Sequence, residues 1–233
     1  MLSSILFDNF ILITSIINTP DIPLSYSNIR SYYTNEERFQ QTVNTIKTIK
    51  DKIPNAKIMI VECSNLEQDK LLYLTQNCDY FLNLIDQPDK VSNIYSNSKS
   101  LGEGTMTIYA LEYILKNNII FKHFFKITGR YYLTEEFNYS NFNNYNIVCI
   151  NGNLTNSDNY KVIHTSFYKI YYSNIKELLE YLISNTDLMR QCYEYENILG
   201  VFINLPKKNN IIYLDKIGIK GQIASIQNCL YEN

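Results

Sequence analysis

Between residues 10 and 128 the chain lays down four short apolar runs rich in β-branched residues, with a helical segment before each of the last three. The first run, residues 10–17 (FILITSII), has no charge and no polar alternation, the pattern of a strand covered on both faces. Residues 57–63 (KIMIVEC) and 80–85 repeat the signal, and residues 124–128 close the series. Thr34-Asn-Glu-Glu37 opens the first intervening helix as a capping box, and Pro54 stops it. Ser64-Asn-Leu-Glu67 reads as a second capping box, for a helix reaching about Gln76. Residues 86–98 read as a polar loop, and 100–116 as a helix with Ile108, Leu111 and Leu115 on one face. This βαβαβαβ order calls for a parallel sheet with helices on both faces.

The rest of the chain changes character. Residues 147–151 and 162–172 read as strands, 174–184 and 187–203 as helices, and 211–214 as a last strand. No repeat or linker interrupts the 233 residues, so one domain is expected, with a nucleotide-binding front half (1–133) and a mixed back half (134–233). A net charge of -2 and the lack of a basic run argue against nucleic acid as a partner. No run approaches the roughly eighteen apolar residues a membrane span needs. Asp8 and the missing basic leader argue against a secretory signal. Cysteines at 63, 78, 149, 192 and 229 form no C-x-x-C pair, which points to a reducing compartment and against a zinc site.

In open α/β sheets ligands bind beyond the carboxyl ends of the strands. The polar residues expected there are Thr14 and Ser15, then Glu62, then the turn Lys126-Ile-Thr-Gly129-Arg130-Tyr131-Tyr132. Two cations, a glycine and two aromatic rings suit a phosphate with a flat polar ligand beside it. Glu62 has two readings: an acceptor for a base or ribose hydroxyl, or a carboxylate favoured by the next helix dipole. Arg30 and Arg38 suit bidentate anion contacts or simply a solvated surface. In Ser98-Lys99-Ser-Leu-Gly102-Glu-Gly104 the glycines and Lys99 suit an anion at a helix start, though the segment is no P-loop; a plain cap is the alternative. Glu194 and Glu196 are candidate general bases and otherwise a solvated helix face. His164 is a base, an acceptor contact or a packed strand residue.

Taken in order, the first strand, residues 30–62, SKSLGEG at 98–104, FKITGRYYL at 125–133, HTSFYKI at 164–170 and YENILGVFI at 195–203 resemble the GT-A-type glycosyltransferases. The resemblance is strongest to the small soluble capsid-glycosylating enzymes of large DNA viruses. It implies a Rossmann-like single α/β domain with a mostly parallel central sheet. It implies transfer of a sugar from a nucleotide-sugar, taken as UDP-linked, to a glycan or protein hydroxyl. The setting it implies is cytoplasmic, in the host if the source is viral. Thr14, Ser15, Arg30, Arg38, Glu62, Lys99, Gly102, Lys126, Gly129 and Arg130 would hold the donor; Tyr131, Tyr132 and His164 would face the sugar or acceptor; Glu196 or Glu194, with Arg130, would be catalytic. Enzymes of this type usually hold Mn²⁺ or Mg²⁺ with a D-x-D after the fourth strand. Here Thr128-Gly129-Arg130 stands in that place and no D-x-D occurs in the chain, so fixed cations are the expected substitute. A non-catalytic carbohydrate- or nucleotide-binding module is the competing reading, and a nucleotidyltransferase a third.

Overall fold

A computed structural model describes residues 6–155, 161–205, 210–226 and 230–233. The first four strands are β1 (Leu6–Ser15), β2 (Ala56–Glu62), β3 (Tyr80–Asn83) and β4 (Ile120–Thr128). They lie parallel in the order β3-β2-β1-β4, as the βαβαβαβ pattern requires. β7 (Lys161–Tyr171) then joins β4 antiparallel, followed by β6 (Ile147–Thr155) and β8 (Ile211–Leu214), so β7 alone opposes the other described strands of this sheet. The α/β class with a mostly parallel sheet and a mixed second half is the one the sequence predicts.

The period of two along β1 and β4 divides the core. Phe10, Leu12 and Phe124 face α4 (Lys99–Lys116), α5 (Ile175–Ser184) and α7 (Tyr195–Ile203) on one side. Ile11, Ile13, Phe125 and Ile127 face α1 (Asn35–Lys52) on the other. The capping box of α1 forms as expected: Glu37 N donates to Thr34 Oγ1 at 3.2 Å and Thr34 N to Glu37 Oε2 at 2.8 Å. The second does not. Ser64 Oγ donates to Glu62 and accepts from Asn18 N at 2.9 Å, so α2 starts only at Gln68 and runs to Asn77.

The loop expected over 86–98 contains a helix, α3 (Pro88–Ile94), with proline at its first turn, where a missing N–H costs nothing. The helix expected over 187–203 breaks into α6 (Thr186–Arg190) and α7, because Cys192 between them takes a left-handed φ of 64°. A second, antiparallel sheet has no counterpart in the sequence reading: β5 (Tyr131–Leu133), β9 (Ile219–Gln222) and β10 (Leu230–Glu232), in the order β10-β9-β5. It packs its β5 edge beside α1 and carries the end of β9 back over the carboxyl ends of β1 and β4. Cys63, Cys78, Cys149 and Cys192 are free thiols, and Cys229 lies outside the described residues. No described helix is long and apolar enough to cross a membrane.

Candidate active site

A cleft of about 130 Å³ opens at the carboxyl ends of β1 and β4. Thr14 and Ser15 end β1 on its floor, while Lys99, Gly102 and Glu103 come from α4. Arg130 and Tyr131 follow β4, Arg30 and Tyr26 belong to the loop after β1, and Ile223 to Ser225 close the far wall. Gly129 ties the floor together. Its N–H donates to Thr14 O at 2.9 Å, its carbonyl accepts from Thr42 Oγ1 at 3.1 Å, and a Cβ there would sit 3.0 Å from Thr42 Oγ1.

Arg38 reaches the cleft from α1 and is 5% exposed. Its Nε donates to Ile16 O at 2.7 Å and one terminal nitrogen to Ser31 Oγ at 3.3 Å. Burial, with the charge of Arg130 second, lowers its pKa. Arg130 donates through Nε to Gln222 O at 3.3 Å, which is how β9 steadies it. Arg30 spends its guanidinium on a wall: it donates to Ile94 O at 2.8 Å, Ser96 O at 2.8 Å and Ile22 O at 3.2 Å. It organises the loop over the cleft.

Several expected contacts are placed elsewhere. Glu62 is fully buried, and its Oε1 accepts from Ile17 N and Cys63 N, each at 3.0 Å. Burial raises its carboxyl above the ordinary range, and it serves the turn after β1 rather than a ribose. Lys126 points to the α4 side of the sheet, wholly buried. It pairs with Glu103 and donates to Thr128 Oγ1 at 3.0 Å and Thr165 O at 2.9 Å. Its charge is answered inside the protein, so a diphosphate contact does not follow. Gly102 and Gly104 lie within α4, past its Ser98 cap, whose Oγ accepts from Leu101 N at 3.1 Å. A Cβ on Gly102 would stand 3.0 Å from Ile94 O, so that residue admits α3 close to α4. Tyr132 points away from Tyr131 by strand alternation and lines a separate groove with Lys47 and Glu135. Glu194 precedes α7, is exposed, and accepts from Asn197 Nδ2 at 3.0 Å.

Glu196 has a different setting. It accepts from Thr165 Oγ1 at 3.0 Å, and Lys99 Nζ lies 3.9 Å away. Burial works against the Lys99 ammonium, but Glu196 and Glu103 outweigh it and raise its pKa. His164 shares this corner, its ring 5.2 Å from that of Tyr231; burial lowers its pKa against the pull of Glu196. A chain of contacts therefore runs Glu103–Lys126–Thr165–Glu196–Lys99. Glu103 is the member sequence reasoning missed. The clue was Lys126 in an otherwise apolar core-facing run, since a buried ammonium needs a nearby carboxylate.

The place where a GT-A enzyme usually holds its divalent ion does not fit one. A divalent cation shared with a donor diphosphate wants at least one or two free carboxylates from the protein beside the phosphates. Thr128-Gly129-Arg130 offers a guanidinium, and the one acid among the described residues lining the cleft, Glu103, is engaged by Lys126. No group of three or more His, Cys, Asp or Glu suited to a metal ion occurs among the described residues.

The fold is that of the GT-A glycosyltransferases, as comparison with a solved structure shows. An active-site mutant of LgtC superimposes with a TM-score of 0.50 at 9% identity, over 88% of this chain and 72% of that one. The galactosyltransferase LgtC in complex with donor and acceptor sugar analogs gives 0.48 at 9% identity, with the same coverage. A glycosyltransferase involved in glycosylation of the major capsid of PBCV-1 gives 0.44 at 7% identity, over 89% of this chain and 81% of that one. No protein-family model and no curated protein sequence matches the chain.

Proposed function

We propose that this chain is a glycosyltransferase that moves a hexosyl or pentosyl group from a nucleotide-sugar to a hydroxyl of a glycan or glycoprotein. The observation that carries the reading is the cleft: in this fold, at the carboxyl ends of β1 and β4, Arg38, Arg130 and Lys99 line it together with the hydroxyl-bearing Thr14 and Ser15. Thr14, Ser15 and Tyr26 take the nucleoside, taken first as uridine, and the cations take the diphosphate. The front half, 1–133, is the donor side, with the 223–225 segment lent by the back half, 134–233, which is the acceptor side.

In net chemistry the bond from the sugar's C1 to the diphosphate oxygen breaks, and its electron pair stays on the phosphate. The acceptor oxygen takes its place at C1, and the acceptor proton passes to Glu196. The carboxylate geometry at Thr165 Oγ1 supports Glu196 over Glu194 for that role. Free, buried Cys63 and Cys149 support a reducing, cytoplasmic setting.

The competing reading, a non-catalytic binding module, draws on the same missing carboxylates. A thermal-shift panel of nucleotide-sugars identifies the donor, because a ligand of the native state raises its melting temperature. Release of nucleoside diphosphate from that donor is then measured with and without an acceptor. Turnover supports the transferase. Stabilisation without any release would leave a binding module, and a flat panel would remove the nucleotide-sugar reading.

A further inference from the structure

The cleft presents charge where a metal site would present acid. Arg38 and Arg130 both line it, and both also line a small adjoining cavity of about 10 Å³ with Ser15, Thr42 and Gly129. That adjoining space holds about one water, so a larger anion sits on the cleft side of the pair. Arg38 has two of its three nitrogens engaged, by Ile16 O and Ser31 Oγ. Arg130 has one engaged, by Gln222 O. Their other terminal nitrogens have no hydrogen-bond partner among the described residues, and neither guanidinium lies within 4.0 Å of a described carboxylate.

The fields of Glu62 on Arg38 and of Glu103 on Arg130 answer these two like charges only in part, since neither carboxylate forms an ion pair with them, and an external anion would answer the rest. The scaffold nevertheless fixes both forks through backbone acceptors, from the turn after β1 and from the end of β9. Guanidinium forks match phosphate oxygens in a bidentate way that a lysine does not. The hydroxyls of Ser15 and Thr14 stand beside them on the floor.

We infer that Arg38 and Arg130 form a phosphoanion site that takes the diphosphate of a nucleotide ligand directly, in place of a divalent cation. Its assignment to a diphosphate rests on the nucleotide-sugar reading; the anion site itself does not. During transfer the oxygen left by C1 gains negative charge, and a fork already aimed at it meets that charge without a metal.

Inorganic pyrophosphate, titrated calorimetrically into the full chain in EDTA, tests the site. Wild-type protein should bind it, and Arg130→Gln should weaken binding at least tenfold with an unchanged circular-dichroism spectrum. Arg38→Lys keeps the charge but loses the fork and should weaken binding similarly. Because Arg38 is buried, that variant counts only if it folds, and Arg130→Gln decides alone if it does not. Lys47→Gln, in the separate groove, should bind like wild type. No binding in EDTA, or undiminished binding by Arg130→Gln, would overturn the inference. The two readings fail differently. Nucleotide-sugar turnover that EDTA abolishes sinks the metal-free site and leaves the transferase; metal-free pyrophosphate binding with a flat nucleotide-sugar panel does the reverse.

Discussion

Glu103 and Lys126 form a buried ion pair across the α4 face of the sheet, the lysine with no exposed side-chain surface and the glutamate with 12%. Burial pushes the Glu103 carboxyl upward, but Lys126 and Lys99 outweigh it and lower its pKa. Removing one partner leaves the other charge buried and alone. Glu103→Leu or Lys126→Met should therefore each cost about 3–5 kcal/mol in urea unfolding. The double variant should recover most of that loss, because a well-packed apolar pair often replaces a buried ion pair without penalty. Single variants within about 0.5 kcal/mol of wild type would show that the charges are not coupled as described.

Glu196 and Glu194 are two residues apart and differ in surroundings. Glu196 is held by Thr165 Oγ1 and faces Lys99, whereas Glu194 is exposed ahead of α7. If Glu196 accepts the acceptor's proton, Glu196→Gln should lower kcat about 10²- to 10⁴-fold with little change in donor KM. Glu194→Gln should stay within about twofold, the scale of a surface substitution. Equal losses in both, measured by nucleoside diphosphate release, would remove the assignment.

Arg130 and Tyr132 offer a similar contrast on one short segment. Arg130 lines the cleft and Tyr132 the opposite groove. Arg130→Ala should abolish measurable transfer while shifting Tm little, since loss of the contact to Gln222 O is offset by relief of the repulsion with Arg38. Tyr132→Ala should leave turnover near wild type. Full turnover by Arg130→Ala would contradict the charge-substitution idea.

The front half was legible because its signals are local. Buried β-branched runs, the Thr34 capping box and Pro54 each act within a few residues, and β1, α1, β2 and α4 follow from them. The places that went astray depend on distant partners. Ser64 could cap a helix in isolation, yet Glu62 and Asn18 claim its hydroxyl. Gly102 and Gly104 resemble a ligand loop in one dimension, but both lie inside α4: Gly104 answers Met189, while Gly102 packs against Ile94 and still lines the cleft. Thr14, Ser15 and Arg130 could be placed from strand ends alone. Arg38 could be suspected but not buried, and the wall from Ile223 to Ser225 depends on β9 pairing with β5, some ninety residues upstream.

That pairing hangs on Gly218, which precedes β9 with φ of 84°; a Cβ there would lie 2.3 Å from Phe137 N. Backbone cannot retreat as a flexible side chain can, and the left-handed conformation adds its own penalty. Gly218→Ala should cost about 2–4 kcal/mol by urea unfolding. It should also raise donor KM more than Gly104→Ala, whose clash is with the unbranched side-chain end of Met189 rather than with backbone. An unchanged KM in a folded Gly218→Ala protein would separate the second sheet from the cleft.

His123 gives the fold an acid-sensitive point away from the cleft. It is 2% exposed on β4, its Nδ1 lacks a hydrogen-bond partner among the described residues, and its ring lies 5.0 Å from that of Tyr171. Burial first, then the charges of Lys169 and Lys122, lower its pKa from 6.5 to about 4. Between those values the unfolded chain takes up a proton that the folded protein refuses. Stability should therefore be unaffected by this group above pH 6.5 and should fall as pH drops toward 4. The loss should reach about 3 kcal/mol at the acid end. His123→Phe keeps an aromatic ring beside Tyr171 and removes the titration, so its urea-unfolding profile should be flatter by that amount over the same range. Parallel profiles for the two proteins would mean that His123 carries no acid penalty, and that other groups set the low-pH stability of the fold.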